Sequence, residues 1–235
     1  MHHHLTTNQH TKLLSLFTSL YITILVLVPS VASKFIALGP ITIGGATLIF
    51  PITYIFNDIL TEVYGYQLSR RVIWTGMACS AFTAFVYWFV GALPPASFWH
   101  DQAAYDTILG AAPRIVCASL AAYFFAEFAN SYVLSKMKFW QRGKGGKQQA
   151  GRFVASTIVS EFFDTLIFFL GGFYSVIATE DLLRTMLTIW IVKVVYEIVA
   201  LPFTLKFTNW VKKVEQMDVI DRPGEVNYNP FAIKG

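Results

Sequence analysis

Apolar positions in this chain neither alternate nor follow a single helical face. They come in long runs, over residues 13–38, 41–60, 72–93, 113–134, 153–178 and 182–207. Each run reaches the ~20 residues that an α-helix needs to cross a ~30 Å hydrocarbon core. The longer ones leave room for tilt or an interfacial turn. The first is interrupted by Pro29 and ends near Lys34, which reads as a proline kink with a lysine snorkelling to the interface. The pattern predicts an all-α, polytopic membrane protein with six transmembrane helices. It divides the chain into an N-terminal tail over residues 1–12, a helical domain over 13–210 and a C-terminal tail over 211–235. Nothing is built on His2–His4, which fit a tag remnant as well as a native start.

Composition strengthens that reading. Hydrophobic residues make up 55% of the chain, charged residues only 14%, and the mean hydropathy is +0.52. Soluble domains carry about 25% charged residues. The net charge of +4 needs no nucleic acid to explain it, because the excess is confined to particular loops. Lys136, Lys138, Arg142, Lys144, Lys147 and Arg152 lie between spans four and five, and Arg70 and Arg71 between spans two and three. Asp101, Asp106, Glu180, Asp181 and Arg184 lie on the other side. Under the positive-inside rule both termini are expected in the cytoplasm. Residues 142–147 lack the G-x-x-x-x-G-K-[ST] spacing of a phosphate loop and fit a basic loop at anionic headgroups. Cys79 and Cys117 fall at different depths, roughly 10 and 24 Å at 1.5 Å per residue, and are expected to be free thiols.

The polar residues inside the runs carry the chemistry. Span five reads Arg152, Ser156, Ser160, Asp164, four apart and therefore on one helix face. Asp164 lies about 17 Å deep, near the midplane, and Glu161 is close to it on the helical wheel. Span six holds Lys193 and Glu197 on one face, with Lys193 also about 17 Å from its end, so Lys193 and Asp164 are expected to meet. Opposite charges at one depth are the least costly way to keep both in lipid. The pair has two readings, a structural ion pair or a counter-ion that tunes a binding carboxylate. Span four contributes Glu127 and Asn130, three apart. Span two ends in Asn57, Asp58, Thr61 and Glu62, which either line a cavity or pair with Arg70 or Arg71 at the interface. The serines fit helix contacts as well as a site. Phe50, Tyr54, Phe56, Phe128, Phe163 and Tyr196 are nearby; most belong to the core or the lipid face, and some can stack on a flat ligand. Carboxylates, an amide and aromatics suit a planar heterocycle, whose guanine-type edge offers two adjacent N–H donors to one carboxylate. No H-E-x-x-H, G-x-S-x-G or C-x-x-C motif points to catalysis, and no cofactor or metal is implied.

Several of these stretches together resemble one family. Phe50-Pro-Ile-Thr-Tyr-Ile-Phe-Asn-Asp-Ile-Leu-Thr-Glu-Val-Tyr-Gly65, followed by Arg70-Arg71, is similar to the signature of the queuosine precursor transporters, also called the vitamin uptake transporter family. Further matches are Glu127-x-x-Asn130, Arg152-x-x-x-Ser156 leading to Asp164-Thr165, Lys193-x-x-x-Glu197 before Leu201-Pro-Phe-Thr204, and Asn227-Tyr-Asn-Pro-Phe231. The resemblance implies import of 7-cyano-7-deazaguanine or 7-aminomethyl-7-deazaguanine across a bacterial inner membrane. It also implies a six-helix fold like the substrate-binding components of energy-coupling-factor transporters. The partners expected are this deazapurine and the bilayer, with no nucleic acid; nothing in the pattern specifies an oligomer.

On that footing Asp164 and Glu127 are expected to accept ring or amino N–H groups, and Asn130 and Asn57 to serve polar edges. Ser156, Ser160 and Tyr54 would line the same site. Lys193 and Glu197 would form a charge relay beside it, and Arg152, Arg71, Asp58 and Glu62 would act at the cytoplasmic mouth or in gating. The rival expectation is a binding subunit docked on an ATP-driven module through small residues such as Ser33 and Ala37.

Overall fold

The structure, a computed structural model, describes residues 11–32, 34–38, 41–110, 113–176 and 178–232. Among the described residues, seven helices and one hairpin follow in the order α1 (Leu14–Ala32), β1 (Phe35–Leu38), β2 (Ile41–Gly44), α2 (Gly45–Tyr64), α3 (Tyr66–Gly91), α4 (Gln102–Leu109), α5 (Pro113–Trp140), α6 (Lys147–Phe173) and α7 (Thr179–Glu215). Five of them, α1, α3, α5, α6 and α7, are long and apolar enough to cross a membrane, as expected of a multi-pass membrane protein.

The first run is shorter as a helix than its hydrophobicity suggests. Helix α1 stops at Ala32, and β1 and β2 pair antiparallel with Phe35 opposite Gly44 and Leu38 opposite Ile41. A short apolar run fits a strand or a helix equally well, and this one is rich in β-branched Ile and Thr, which favour strands. Of the small-residue pair expected on span one, Ser33 lies outside the described residues.

Helix α2 has 20 residues, enough to span, yet its second half carries Asn57, Asp58, Thr61 and Glu62. Its position explains why. From Thr53 to Tyr66 nearly every residue is buried, because α1, α3, α5 and α7 pack around it. A helix that meets protein on all sides can carry Asn57, Asp58, Thr61 and Glu62, whereas a lipid-facing helix cannot. The outer helices show the reverse: Phe82, Phe85, Trp88, Leu187, Val199 and Phe203 are exposed, as side chains facing hydrocarbon are.

The C-terminal tail folds back onto the bundle. Gln216 ends α7 in a left-handed conformation, φ 53°. The chain then returns to the α2–α3 turn, where the Val219 N–H donates to the Val63 carbonyl at 3.1 Å. Gly65 in that turn has φ +85°, and a Cβ there would come within 2.9 Å of Asp221 Oδ1, so glycine serves both the turn and the close approach. Asp221 Oδ2 accepts the Tyr66 N–H at 2.9 Å and the Ser135 hydroxyl at 2.6 Å. At the other end of the chain, the Lys12 N–H donates to Glu215 Oε2 at 3.1 Å. The start of α1, the ends of α2, α5 and α7 and the starts of α3 and α6 therefore share one end of the bundle.

Candidate functional site

Four helices bring polar side chains into the interior. Helix α2 supplies Tyr54, Asn57 and Asp58; α5 supplies Glu127, Asn130 and Ser131; α6 supplies Glu161, Asp164 and Thr165; α7 supplies Lys193 and Glu197. All but Lys193 are buried, and that lysine is only partly exposed. Spacings of three and four residues set each group on one face of its helix.

On the α6–α7 side, Lys193 pairs with Asp164 Oδ2, and with Glu161 at 2.9 Å. Its ammonium also lies 4.9 Å from the Phe50 ring centroid, where the ring quadrupole attracts a cation. On the α2–α5 side, Asn130 Nδ2 donates to Asp58 Oδ1 at 2.7 Å. Asn57 Nδ2 donates to the Glu127 carbonyl at 3.3 Å, and Ser131 donates to Asn57 Oδ1 at 3.1 Å. Thr61 Oγ1 lies 2.8 Å from Ser69 Oγ and 3.0 Å from Ser131 Oγ.

Between these networks several buried atoms have no hydrogen-bond partner. They include both carboxylate oxygens of Glu127, Asn130 Oδ1, Glu197 Oε1, Tyr54 Oη and Thr165 Oγ1. The Tyr21 hydroxyl of α1 is a neighbour of Glu127, but it is engaged with Tyr123 at 2.9 Å. Buried polar groups are nearly always hydrogen-bonded, and leaving one unsatisfied costs about 1–3 kcal/mol. Asp58, Glu161 and Asp164 are the charged neighbours of Glu127. Among the described residues, five interior carboxyl groups (Asp58, Glu127, Glu161, Asp164, Glu197) thus stand against one interior ammonium, that of Lys193, which pairs with Asp164 and Glu161. The arrangement has acceptors to spare and needs donors.

A narrow cleft of about 10 Å³, room for about one water, lies between α2, α6 and α7, lined by Asp58, Glu197, Thr157 and Thr204 with apolar neighbours. Ligand pockets begin at about 300 Å³, so a heterocycle enters only when the helices part.

A second charged cluster closes the bundle at the end that holds the tail. Glu62 receives Arg152 through both carboxylate oxygens, with Arg152 Nε to Oε2 at 2.9 Å and Nη2 to Oε1 at 2.5 Å. Lys212 Nζ lies 2.5 Å from Glu62 Oε1 and 2.9 Å from Asp218 Oδ1. Lys138 lies 3.9 Å from Glu62 and also pairs with Asp218. Arg152 further donates from Nη1 to Gln141 Oε1 at 2.9 Å and to the Lys144 carbonyl at 2.7 Å, which closes the α5–α6 turn.

Asp218 lies outside the spans. Burial alone would push its carboxyl up, but Lys138 and Lys212 outweigh this and hold it below its ordinary value. A lowered folded-state value adds stability above the ordinary carboxyl range, about pH 3.9, and that stability is lost as pH falls through the folded value. Docking of the tail is therefore expected to be unchanged from pH 7 to pH 5 and to weaken only below about pH 4. Exchange of the Val219 amide hydrogen, measured against pH, reads this directly.

The structure separates the expected site residues. Glu127, Asn130, Asn57, Tyr54, Asp58, Asp164, Lys193 and Glu197 share the interior. Ser156 and Ser160 are buried on α6, but their hydroxyls donate to Phe153 O at 2.9 Å and Thr157 O at 3.1 Å on their own helix. Arg152 and Glu62 are bound to each other at the closed end. Arg71 is exposed and outside both clusters, whereas its neighbour Arg70 is buried and holds the tail through the Asn227 and Asn229 carbonyls at 2.9 and 3.0 Å. Sequence reasoning placed Thr61 beside Asn57 but missed Tyr21, Ser131, Ser135, Lys138, Lys212, Asp218 and Asp221 as network members. Of these only Ser131 carried a signal, being four residues from Glu127 on the same face. Cys79 and Cys117 are free thiols.

Residues 44–207 match the family described as "Putative vitamin uptake transporter". The chain is 27% identical over 178 residues to a "Probable queuosine precursor transporter" of Bacillus subtilis (strain 168), an alignment covering 72% of this chain and 73% of that protein. No solved structure matches the chain significantly.

Proposed function

Because the chain belongs to the vitamin uptake transporter family, we propose that it imports a queuosine precursor, 7-cyano-7-deazaguanine or 7-aminomethyl-7-deazaguanine, across a bacterial inner membrane. One observation carries the reading: Glu127 is buried with neither carboxylate oxygen bonded. The adjacent ring N–H and amino group of a guanine-type edge would donate to those two oxygens together, as a bidentate donor does to a carboxylate. The Bacillus relative's printed name supplies the ligand class; the spare acceptors agree with it.

In this reading α2 is the sixth span and both termini face the cytoplasm, with the basic end of the bundle inside. Asn130 offers its free Oδ1 to a second donor, and Asn57 and Asp58 hold Asn130 and Ser131 in place. Asp164 faces the ligand with the oxygen that does not bind Lys193. Lys193 and Glu197 form the charged wall opposite α5. Tyr54 supplies a ring face, packed edge-on against Phe50 at 5.3 Å, and a hydroxyl without a partner. Ser156 and Ser160, with hydroxyls turned onto their own helix, let α6 pack closely against α5.

Glu127→Gln replaces one acceptor of the bidentate pair by an amide NH₂, a donor facing a donor. Hydrogen bonds to charged groups contribute about 1.5–3 kcal/mol, so binding of both deazaguanines should weaken by about 10- to 100-fold. Equilibrium binding to the purified protein measures it, and unchanged affinity for both bases would remove Glu127 from the site.

A further inference from the structure

The tail and the Glu62 cluster lie at the same end of the bundle, and neither takes part in the interior network. The tail is gripped mostly by its main chain. Tyr66 Oη donates to Tyr228 O at 2.9 Å, Trp74 Nε1 to Pro230 O at 2.8 Å and Lys138 Nζ to Val219 O at 2.7 Å. Arg70 holds two further tail carbonyls. Lys136 lies 4.0 Å over the Tyr228 ring, and the Tyr228 hydroxyl is 2.9 Å from Ser135 Oγ. The grip therefore comes from α3 and α5, while the tail itself continues from α7.

Helix α7 is tied to α2 at this end through Lys212, which bonds Glu62 and Asp218 together. Glu62 is one turn from Asp58 on α2, and Ser135 is one turn from Ser131 on α5. Thr61 lies against Ser131, and Ser131 donates to Asn57. The closed end and the interior thus touch through a polar layer of Thr61, Ser69 and Ser131. The interior cleft is too small for a heterocycle as it stands, so some part of the bundle must open. The parts held by replaceable ion pairs and by a returning tail are the ends of α2, α5 and α7.

We propose that residues 216–232, held by Arg70, Ser135 and Lys138 and tied to Glu62 through the Lys212–Asp218 pair, form the inner gate of the transport path. In the closed state the tail bridges the ends of α2, α3, α5 and α7 below the site. Opening separates Lys212 from Glu62, frees Asp218 and Asp221, and carries the end of α7 outward, which uncovers Thr61 and Ser131 and then Asn57. The tail is a moving part of the transporter, and its docking sets the balance between closed and inward-open states. The proposal rests on the transport reading, but its test uses no ligand, so the two can fail separately.

The test places a thiol just above the gate. In a Cys79→Ser/Cys117→Ser background, Ser131→Cys is labelled with a membrane-impermeant maleimide in inside-out vesicles. The parent should label slowly, through spontaneous opening. Lys212→Gln, and separately a chain ending at Gln216, should raise the rate by about tenfold or more, the population shift expected when closed-state contacts alone are removed. Equal rates in the parent and both variants overturn the proposal. A second arm compares one protein with itself, joined and unjoined. Ser135→Cys and Asp221→Cys, whose native side chains are 2.6 Å apart, are joined by a short bifunctional thiol reagent before Ser131→Cys is exposed by reversing a protecting disulfide at that position. Joining tail to α5 should cut the labelling rate about tenfold relative to the same protein left unjoined; an undiminished rate shows that the path opens without the tail moving, and the gate lies elsewhere.

Discussion

Glu62→Ala is expected to lower stability by about 3–5 kcal/mol, the cost of removing one partner of a buried ion pair and leaving the other uncompensated. The environment sets the size. Glu62 and Arg152 are both 0% exposed, and Lys138 is 1% exposed. Arg152 has two of its hydrogen bonds on this carboxylate, and Lys212 reaches it as well. Without Glu62, Arg152 keeps no ion-pair partner among the described residues, and Lys138 and Lys212 share Asp218, whose side chain is half-exposed. Glu62→Gln should cost less, because an amide oxygen still accepts from Arg152, but a neutral group cannot balance the charge. Arg71→Ala is the contrasting variant. Arg71 is exposed and outside the cluster, so its loss should fall within about 0.5 kcal/mol of the parent. Thermal unfolding of the three variants in detergent, followed by the fraction that stays monodisperse, ranks them. Similar losses for Glu62→Ala and Arg71→Ala would mean that the cluster adds nothing to the fold.

That cluster is also where the sequence was hardest to read. Lys138 and Arg152 count correctly as positive charge on one side of the chain, but a count of signs does not show that both side chains are buried against Glu62. The tail is more opaque still, because α3 and α5 hold it mostly by its carbonyl oxygens, which every residue has. Nothing in the pattern of residues 216–232 announces such contacts; the hint lies elsewhere, in Gly65 of the α2–α3 turn, whose bare backbone admits Asp221. Residues within the runs were far more legible. A rise of 1.5 Å per residue is enough to bring Asp164 and Lys193 to one level when both helices run unbroken, and the two do meet. The polar content of α2 was legible as an oddity before its cause was; the cause is that this helix is surrounded by others. Hydrophobicity alone misassigned residues 35–38 and 41–44, where apolar strand and apolar helix look alike. Ser156 and Ser160 fall on the expected face, yet their hydroxyls turn back to their own helix, a choice of rotamer that spacing does not reveal.

Lys193→Met should also be severely destabilising, by about 3–5 kcal/mol, because it strips Asp164 and Glu161 of the cation they share. Neutralising all three, Lys193→Met with Glu161→Gln and Asp164→Asn, should recover most of that loss, since replacing a whole buried ion cluster is often neutral. Neither variant reveals whether Asp164 serves the ligand. Asp164→Asn alone does. Lys193 keeps Glu161 at 2.9 Å, so the ammonium stays paired and the stability cost should be about 1 kcal/mol, the scale of one weakened hydrogen bond. A carboxylate that only neutralises Lys193 would leave deazaguanine affinity unchanged in this variant. A carboxylate that also accepts an N–H from the ligand would lose about tenfold or more, because that contact is charge-assisted. The second outcome is the expected one: Lys193 occupies Oδ2, and Glu161 already stands as its alternative partner, so charge balance alone does not require a second acid at position 164. Binding measured alongside thermal unfolding separates the two roles, since a purely structural residue would lower the melting point and leave the affinity unchanged.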